Sequence, residues 1–181
     1  MKKVLFAVLV LGLIAFGTVD TNAQFKGQST LGVGAGFGGG GLSGTGAIPL
    51  YAEYNFYNFN EKLQLGAYAA FASTSEDYGF FTYQGTWTYT NIIIAVQGNY
   101  HLSPGEQFDP FLGLSLGYNV ASASFEWSGT VPAGVASPTV TAGGFFYSGQ
   151  AGFNYWMNPG LALQVRVGYF PYASVGVLFN M

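Results

Sequence analysis

The sequence predicts an all-β fold: one eight-stranded antiparallel up-and-down transmembrane β-barrel. Three observations carry that prediction. Apolar residues recur with a period of two along eight segments, which places them on one face of each β-strand. Half of the residues are hydrophobic and 18% aromatic, yet only 7% are charged, against roughly a quarter in an ordinary soluble domain. Past residue 23 no apolar run approaches the ~20 residues a membrane helix needs. Hydrophobicity spread by alternation is the pattern of a barrel that crosses a bilayer with strands.

The first residues are of another kind. Lys2 and Lys3 precede thirteen residues, Val4–Phe16, that are apolar apart from Gly12, and Thr21-Asn22-Ala23 follows as a small-residue cleavage site. This is the layout of an export signal. Residues 1–23 are therefore expected to be a signal peptide and residues 24–181 a single outer-membrane β-barrel domain. No cysteine is present, so disulfides, thiolate metal sites and a lipid-modified N-terminal cysteine are excluded. After processing only Lys26, Lys62 and Arg166 are basic, which leaves nucleic acid without an electrostatic footprint.

In chain order, the first strand is expected over residues 28–37, with Leu31, Val33, Ala35 and Phe37 opposite Thr30, Gly32, Gly34 and Gly36. The glycine tract to Gly46 reads as a loop. The second strand runs Ile48–Phe56 and, after the turn Asn58–Lys62, the third runs Leu63–Ser73. Thr74–Thr90 reads as a long aromatic loop before a fourth strand from Asn91 to Leu102. Ser103-Pro104-Gly105 has the residue order of a type II turn. The fifth strand covers Leu112–Val120, and a Gly/Pro/Ser/Thr/Val loop leads to a sixth over Gly143–Met157. Asn158-Pro159-Gly160 is a second type II signal; Leu161–Phe170 is the seventh strand and Ser174–Met181 the eighth. The spacing predicts long connections after strands one, three and five, short ones elsewhere, and both termini on the short-turn side.

Charge placement separates the two faces. Glu61, Lys62, Glu106 and Asp109 are expected in turns and Glu76, Asp77 and Glu126 in or beside loops, so that only Glu53 and Arg166 lie mid-strand. Both fall on the polar face. In a soluble barrel the outward face would carry Lys and Glu; here the polar faces are Gly, Ala, Ser, Asn and Gln. The apolar faces therefore meet lipid and the polar ones a lumen.

The signal peptide, the eight alternating strands and the aromatic strand ends resemble the small outer-membrane β-barrel family typified by OmpX, OmpW and the OmpA membrane domain. The resemblance covers Gln28–Met181 and rests on pattern, so it names an architecture rather than a subfamily. It implies residence in a bacterial outer membrane and contact with outer-membrane lipids. It also implies insertion by the barrel-assembly machinery, which in the family reads an aromatic residue ending the last strand. Here Val175, Val177 and Phe179 keep the alternation and Met181 ends the chain.

Five groups of residues invite function. Aromatics near the ends of the lipid-facing stripes read as two interfacial girdles: Phe37, Phe71, Phe145, Tyr147 and Tyr169 at the loop end, and Phe56, Tyr100, Tyr155 and Phe179 at the turn end. Glu53 and Arg166 each lie five residues from a periplasmic turn and so at similar depth. A gap of roughly 15 Å separates their backbones, which two long side chains inside a filled lumen can close as an ion pair or leave to separate hydrogen bonds with amides and trapped water, with Tyr51, Tyr68, Gln97, Asn99, Gln150 and Gln164 as further partners. Tyr78, Phe80, Phe81, Tyr83, Trp87 and Tyr89 form a candidate extracellular contact surface for an unidentified ligand, or else a strand extension whose rings pack on neighbours. His101, Ser103, Glu106 and Asp109 cluster in sequence but read as a solvated turn, since hydrolytic barrels of the outer membrane work at the opposite, cell-surface end. Gly34–Gly39 matches G-x-G-x-x-G without the helix a dinucleotide site requires. No catalytic, cofactor or metal residue is assigned. The expected function is a sealed structural or interaction barrel presenting its loops. A narrow porin-like channel for small or hydrophobic solutes is the alternative, and a lipid-modifying enzyme the least supported.

Overall fold

A computed structural model describes residues 29–39, 46–80, 83–128, 131, 134 and 136–181. The expected signal peptide lies outside the described residues. Eight strands follow one another: β1 (Thr30–Phe37), β2 (Leu50–Asn58), β3 (Leu63–Phe80), β4 (Tyr83–His101), β5 (Phe108–Ser128), β6 (Thr139–Asn158), β7 (Leu161–Gly168) and β8 (Ala173–Asn180). Each is antiparallel to the next, and β8 pairs with β1 from Thr30↔Asn180 to Phe37↔Ala173, which closes the barrel. The start of β1 and the end of β8 therefore lie at the end that carries the β2–β3, β4–β5 and β6–β7 turns.

Local chemistry fixes those turns. Asn60 Oδ1 accepts the backbone N–H groups of Lys62 and Leu63, both at 2.8 Å, an Asx turn that the Phe59 N–H closes by donating to Leu63 O at 2.9 Å. In Ser103-Pro104-Gly105, Gly105 adopts φ +90° and Glu106 N–H donates to Ser103 O at 3.2 Å. Only glycine takes that backbone angle without strain.

The strands fall into two length classes. β1, β2, β7 and β8 have 8 or 9 residues; β3 to β6 have 18 to 21. Half of the barrel wall thus continues past the rim as a four-stranded sheet. This corrects the loop expected over Thr74–Thr90: β3 and β4 pair without interruption from Leu63↔Tyr100 to Phe80↔Tyr83. Only residues 81 and 82 separate those strands, so the connection is short. The signal for it lies in residues 83–90, where Tyr, Gly, Trp and Tyr alternate with Gln and three Thr, types that suit a pleated surface. The charges move with the strands: Glu76, Asp77, Asp109 and Glu126 all sit on strands rather than in loops or turns.

Side chains sort by parity. Tyr68, Ala70, Asn91, Ile93, Ala95, Gln97, Ser115 and Ser148 are buried inward, whereas Ile94, Val96, Leu112, Leu114 and Leu116 are exposed on the outside. Leu114 is 68% exposed. Such a side chain in water forgoes the ~1.5–3 kcal/mol that burial would give it, and Ile94, Val96, Leu112 and Leu116 are exposed on the same wall. A bilayer is the medium that solvates such a wall. Leu114→Arg should therefore destabilise the barrel by about 2–4 kcal/mol in lipid vesicles, with Leu114→Ile near neutral. Reversible denaturant unfolding measures both, and a silent arginine would show that this face does not meet lipid.

A charged, plugged lumen and a projecting aromatic sheet

The lumen is organised around Arg166 on β7. Its Nη1 donates to Glu53 Oε2 on β2 at 2.9 Å, and both side chains are almost fully buried. The guanidinium carbon lies 4.2 Å from the Tyr51 ring centroid and 5.0 Å from that of Tyr68. Arg166 Nη2 makes no hydrogen bond; the negative ring faces stand where further acceptors would be needed. Glu53 is more fully engaged, with Oε2 also accepting from Gln97 Nε2 at 2.9 Å and Oε1 from Gln164 Nε2 at 3.1 Å.

Around that pair the amides form a chain. Tyr51 Oη donates to Gln164 Oε1 at 3.0 Å, Gln164 Nε2 to Asn154 Oδ1 at 3.2 Å, and Gln150 Nε2 to Asn99 Oδ1 at 2.7 Å. Gln97 joins Asn55 to the carboxylate, donating to Asn55 Oδ1 at 2.8 Å. Tyr68 Oη caps the set by donating to Phe170 O at 2.9 Å. The structure thus brings together all eight residues singled out from the sequence for this network. It adds Asn55 and Asn154, which alternation already put on the inner face.

Reach is provided by glycine. β1 and β8 lie between β2 and β7 in the ring, and the side chains must pass across them. A Cβ on Gly32 would stand 2.7 Å from Glu53 Cγ, and one on Gly34 2.5 Å from the Tyr51 ring; Gly176 faces the Tyr51 hydroxyl in the same way. These are distances no real Cβ tolerates, so the three glycines are a channel for two side chains.

Apolar groups close the lumen above and below. At the loop end Phe170, 4% exposed, turns inward onto a cluster with Tyr51, Tyr68, Ile93 and Phe146. At the turn end Trp156, Ala162 and Leu178 pack together. Beside them His101 Nδ1 is paired with Asp109 Oδ2, and the His101 ring lies 5.9 Å from that of Phe111. This corrects the solvated turn expected for these residues. His101 is the last residue of β4 and Asp109 the second of β5, both inward by parity, at 3% and 0% exposure; Ser103 and Glu106 remain on the turn. Between the two charged pairs is a cavity of about 10 Å³, the room one water needs.

The aromatic residues divide by position. Phe37, Phe71, Phe145, Tyr147, Tyr169, Phe56, Tyr100 and Tyr155 are exposed on the outer wall, and Phe179 is half-buried. Of the candidate contact residues, Tyr78 is exposed on β3, Trp87 and Tyr89 are half-buried on β4, and Phe80 and Tyr83 form the last pair of the β3–β4 ladder. Phe81 lies outside the described residues. Sequence reading missed Phe125 and Trp127 of β5, which join Trp87: ring centroids are 5.1 Å apart for Trp87–Phe125 and 4.8 Å for Phe125–Trp127.

Neisserial surface protein A superposes with a TM-score of 0.55 at 16% identity, over 84% of this chain and 95% of that one. The chain has the fold of the small outer-membrane β-barrels. The N-terminal β-barrel domain of Pseudomonas aeruginosa OprF gives a TM-score of 0.51 at 13% identity, over 85% and 98%. Ail, the attachment invasion locus protein of Yersinia pestis, in complex with the heparin analogue sucrose octasulfate, gives 0.50 at 13%, over 85% and 95%. No protein-family model matches the sequence, and no curated protein matches it. At these identities the likeness concerns the fold.

Breaking the lumen pair has a definite expected cost. Glu53→Gln or Arg166→Met should each destabilise by about 3–5 kcal/mol, because each strands one buried charge or its partners. The double variant should lose clearly less than the sum, since the second change removes the stranded group. Denaturant unfolding of the four proteins in micelles gives the cycle, and strict additivity would show that the two residues do not act as a pair.

Proposed function

We propose that this protein is a sealed, non-enzymatic β-barrel of the bacterial outer membrane whose working part is the sheet that rises above the rim on the cell-surface side. The observation that carries this reading is the filled lumen combined with the unequal strands. A barrel whose interior is occupied by an ion pair, its amide shell and two apolar plugs has no continuous aqueous path, while half of its wall extends well beyond the bilayer-spanning part. The apolar outer wall supports the outer membrane as location, with its lipids as the surrounding medium and the barrel-assembly machinery as the route of insertion. Aromatic rings at both ends of that wall suit headgroup depth.

Other readings fare less well on the same geometry. A channel would need Phe170 or the Trp156 cluster to move and the Glu53–Arg166 pair to part. A lipid-modifying enzyme would need the buried His101–Asp109 pair at the turn end to reach lipid. The purified protein should show no steady conductance in planar bilayers, and Phe170→Gly alone should not open it, because the charged layer beneath persists. An ungated ohmic pore in the unmodified protein would overturn the sealed reading in favour of transport.

A further inference from the structure

The projecting sheet repeats, without its cation, the chemistry that holds Arg166. Parity runs unbroken along β3 and β4 from the lumen upward, so Glu76 lies on the face of Tyr68 and Ala72, and Trp87 and Tyr89 on the face of Asn91 and Ile93. Glu76 pairs directly across from Trp87, which pairs in turn with Phe125. Directly opposed residues have Cβ atoms about 4.5–5.5 Å apart, so a carboxylate stands beside an indole. The Trp87 and Tyr89 rings lie 6.2 Å apart at an interplanar angle of 19°. Gly85 makes room for this assembly: a Cβ there would collide with the Phe125 ring.

Charge completes the case. Between Lys62 and Arg166 the sequence contains no lysine or arginine. The projecting sheet carries Glu76 inside and, by parity, Asp77 and Glu126 outside, joined by the cross-strand row Asp77↔Thr86↔Glu126. Asp77 is engaged by Thr86 Oγ1 at 2.8 Å. Glu76 is exposed, and Lys62 and Arg166 are accounted for at the opposite turn and in the lumen. A carboxylate next to aromatic faces attracts a planar cation through both the ring quadrupole and a charge-assisted hydrogen bond, and guanidinium satisfies both geometries better than ammonium.

We propose that the inner face of the projecting sheet docks an arginine-bearing basic segment of a partner protein, with the guanidinium seated between Trp87 and Glu76. The proposal rests on the reading of the barrel as an interaction module. It also separates this sheet from polyanion recognition, because sulfated or phosphorylated ligands would find carboxylates and no cation.

The test uses the full processed chain, folded in non-ionic micelles, and the acetylated, amidated peptide Gly-Arg-Gly-Arg-Gly-Arg with its lysine and citrulline counterparts. Binding read by tryptophan fluorescence and calorimetry should be saturable for the arginine peptide, weaker for lysine, lost for citrulline, and reduced by salt. Glu76→Gln and Trp87→Leu should each weaken it roughly five- to tenfold, the size of a lost charge-assisted or cation–π contact. Glu126→Gln on the outer face should leave it nearly unchanged. Heat-modifiable gel migration checks that each variant is folded. No saturable arginine binding, equal binding by Glu76→Gln, or preference for an acidic peptide or neutral oligosaccharide would each overturn the proposal. Conductance of the same preparation separates the two readings: a silent barrel without binding sinks only the docking site, and a conducting one sinks the sealed barrel.

Discussion

Everything inside this barrel follows from placing one guanidinium in a lumen only eight strands around. A buried charge without compensation is untenable, and a narrow interior leaves few ways to compensate it. Here the solution is a carboxylate at hydrogen-bond distance, two phenol rings against the planar face and a shell of amides holding the carboxylate. That arrangement sets the demand for glycine on β1 and β8, since the long side chains occupy the volume that those strands' own side chains would fill. It also sets the need for apolar plugs, which keep water from competing for the pair. Electrostatics, small residues and closure are one constraint seen from three sides.

The unequal strands are the second organising fact, and they divide labour. The short strands β1, β2, β7 and β8 form the wall that carries the charged pair and the closing seam. The long strands β3 to β6 complete the wall and then leave it, keeping the same inward and outward parity above the rim. Above the rim the inward positions of β4 and β5 carry Trp87, Tyr89 and Phe125, whose rings pack on one another. A single alternating pattern thus writes two surfaces, one facing a packed interior and one facing the outside.

Much of this was legible in the residues. Alternation gave strand number and lumen-facing parity, because a period of two survives any curvature of the sheet, and the short turns gave antiparallel order. The depth of Glu53 and Arg166 could be counted from the turns, because strand rise is nearly constant. Two things were not legible. The extension of β3 through Glu76 and Asp77, with β4 paired alongside, was hidden because acidic residues are commonest in loops, whereas an exposed strand above a membrane tolerates charge freely. The inward turn of His101 and Asp109 was obscured by their closeness to Ser103-Pro104-Gly105. Parity already pointed His101 inward, but only tertiary packing shows that a turn-proximal residue is sealed by Phe111 and a partner eight residues on.

The seam between β1 and β8 bears on how such a chain reaches its folded form. Glu53 and Arg166 are 113 residues apart in sequence and sit on strands flanking that seam, one on each side. Until the last strand joins the first, the sheet is open and Arg166 has no fixed counter-charge. A chain that stops short of β8, or that closes in a shifted register, leaves guanidinium and carboxylate at mismatched heights inside an apolar membrane. The pair therefore acts as a completeness check on assembly: the final strand adds backbone bonds at both edges and, in the same event, removes an electrostatic penalty that no partial barrel can remove.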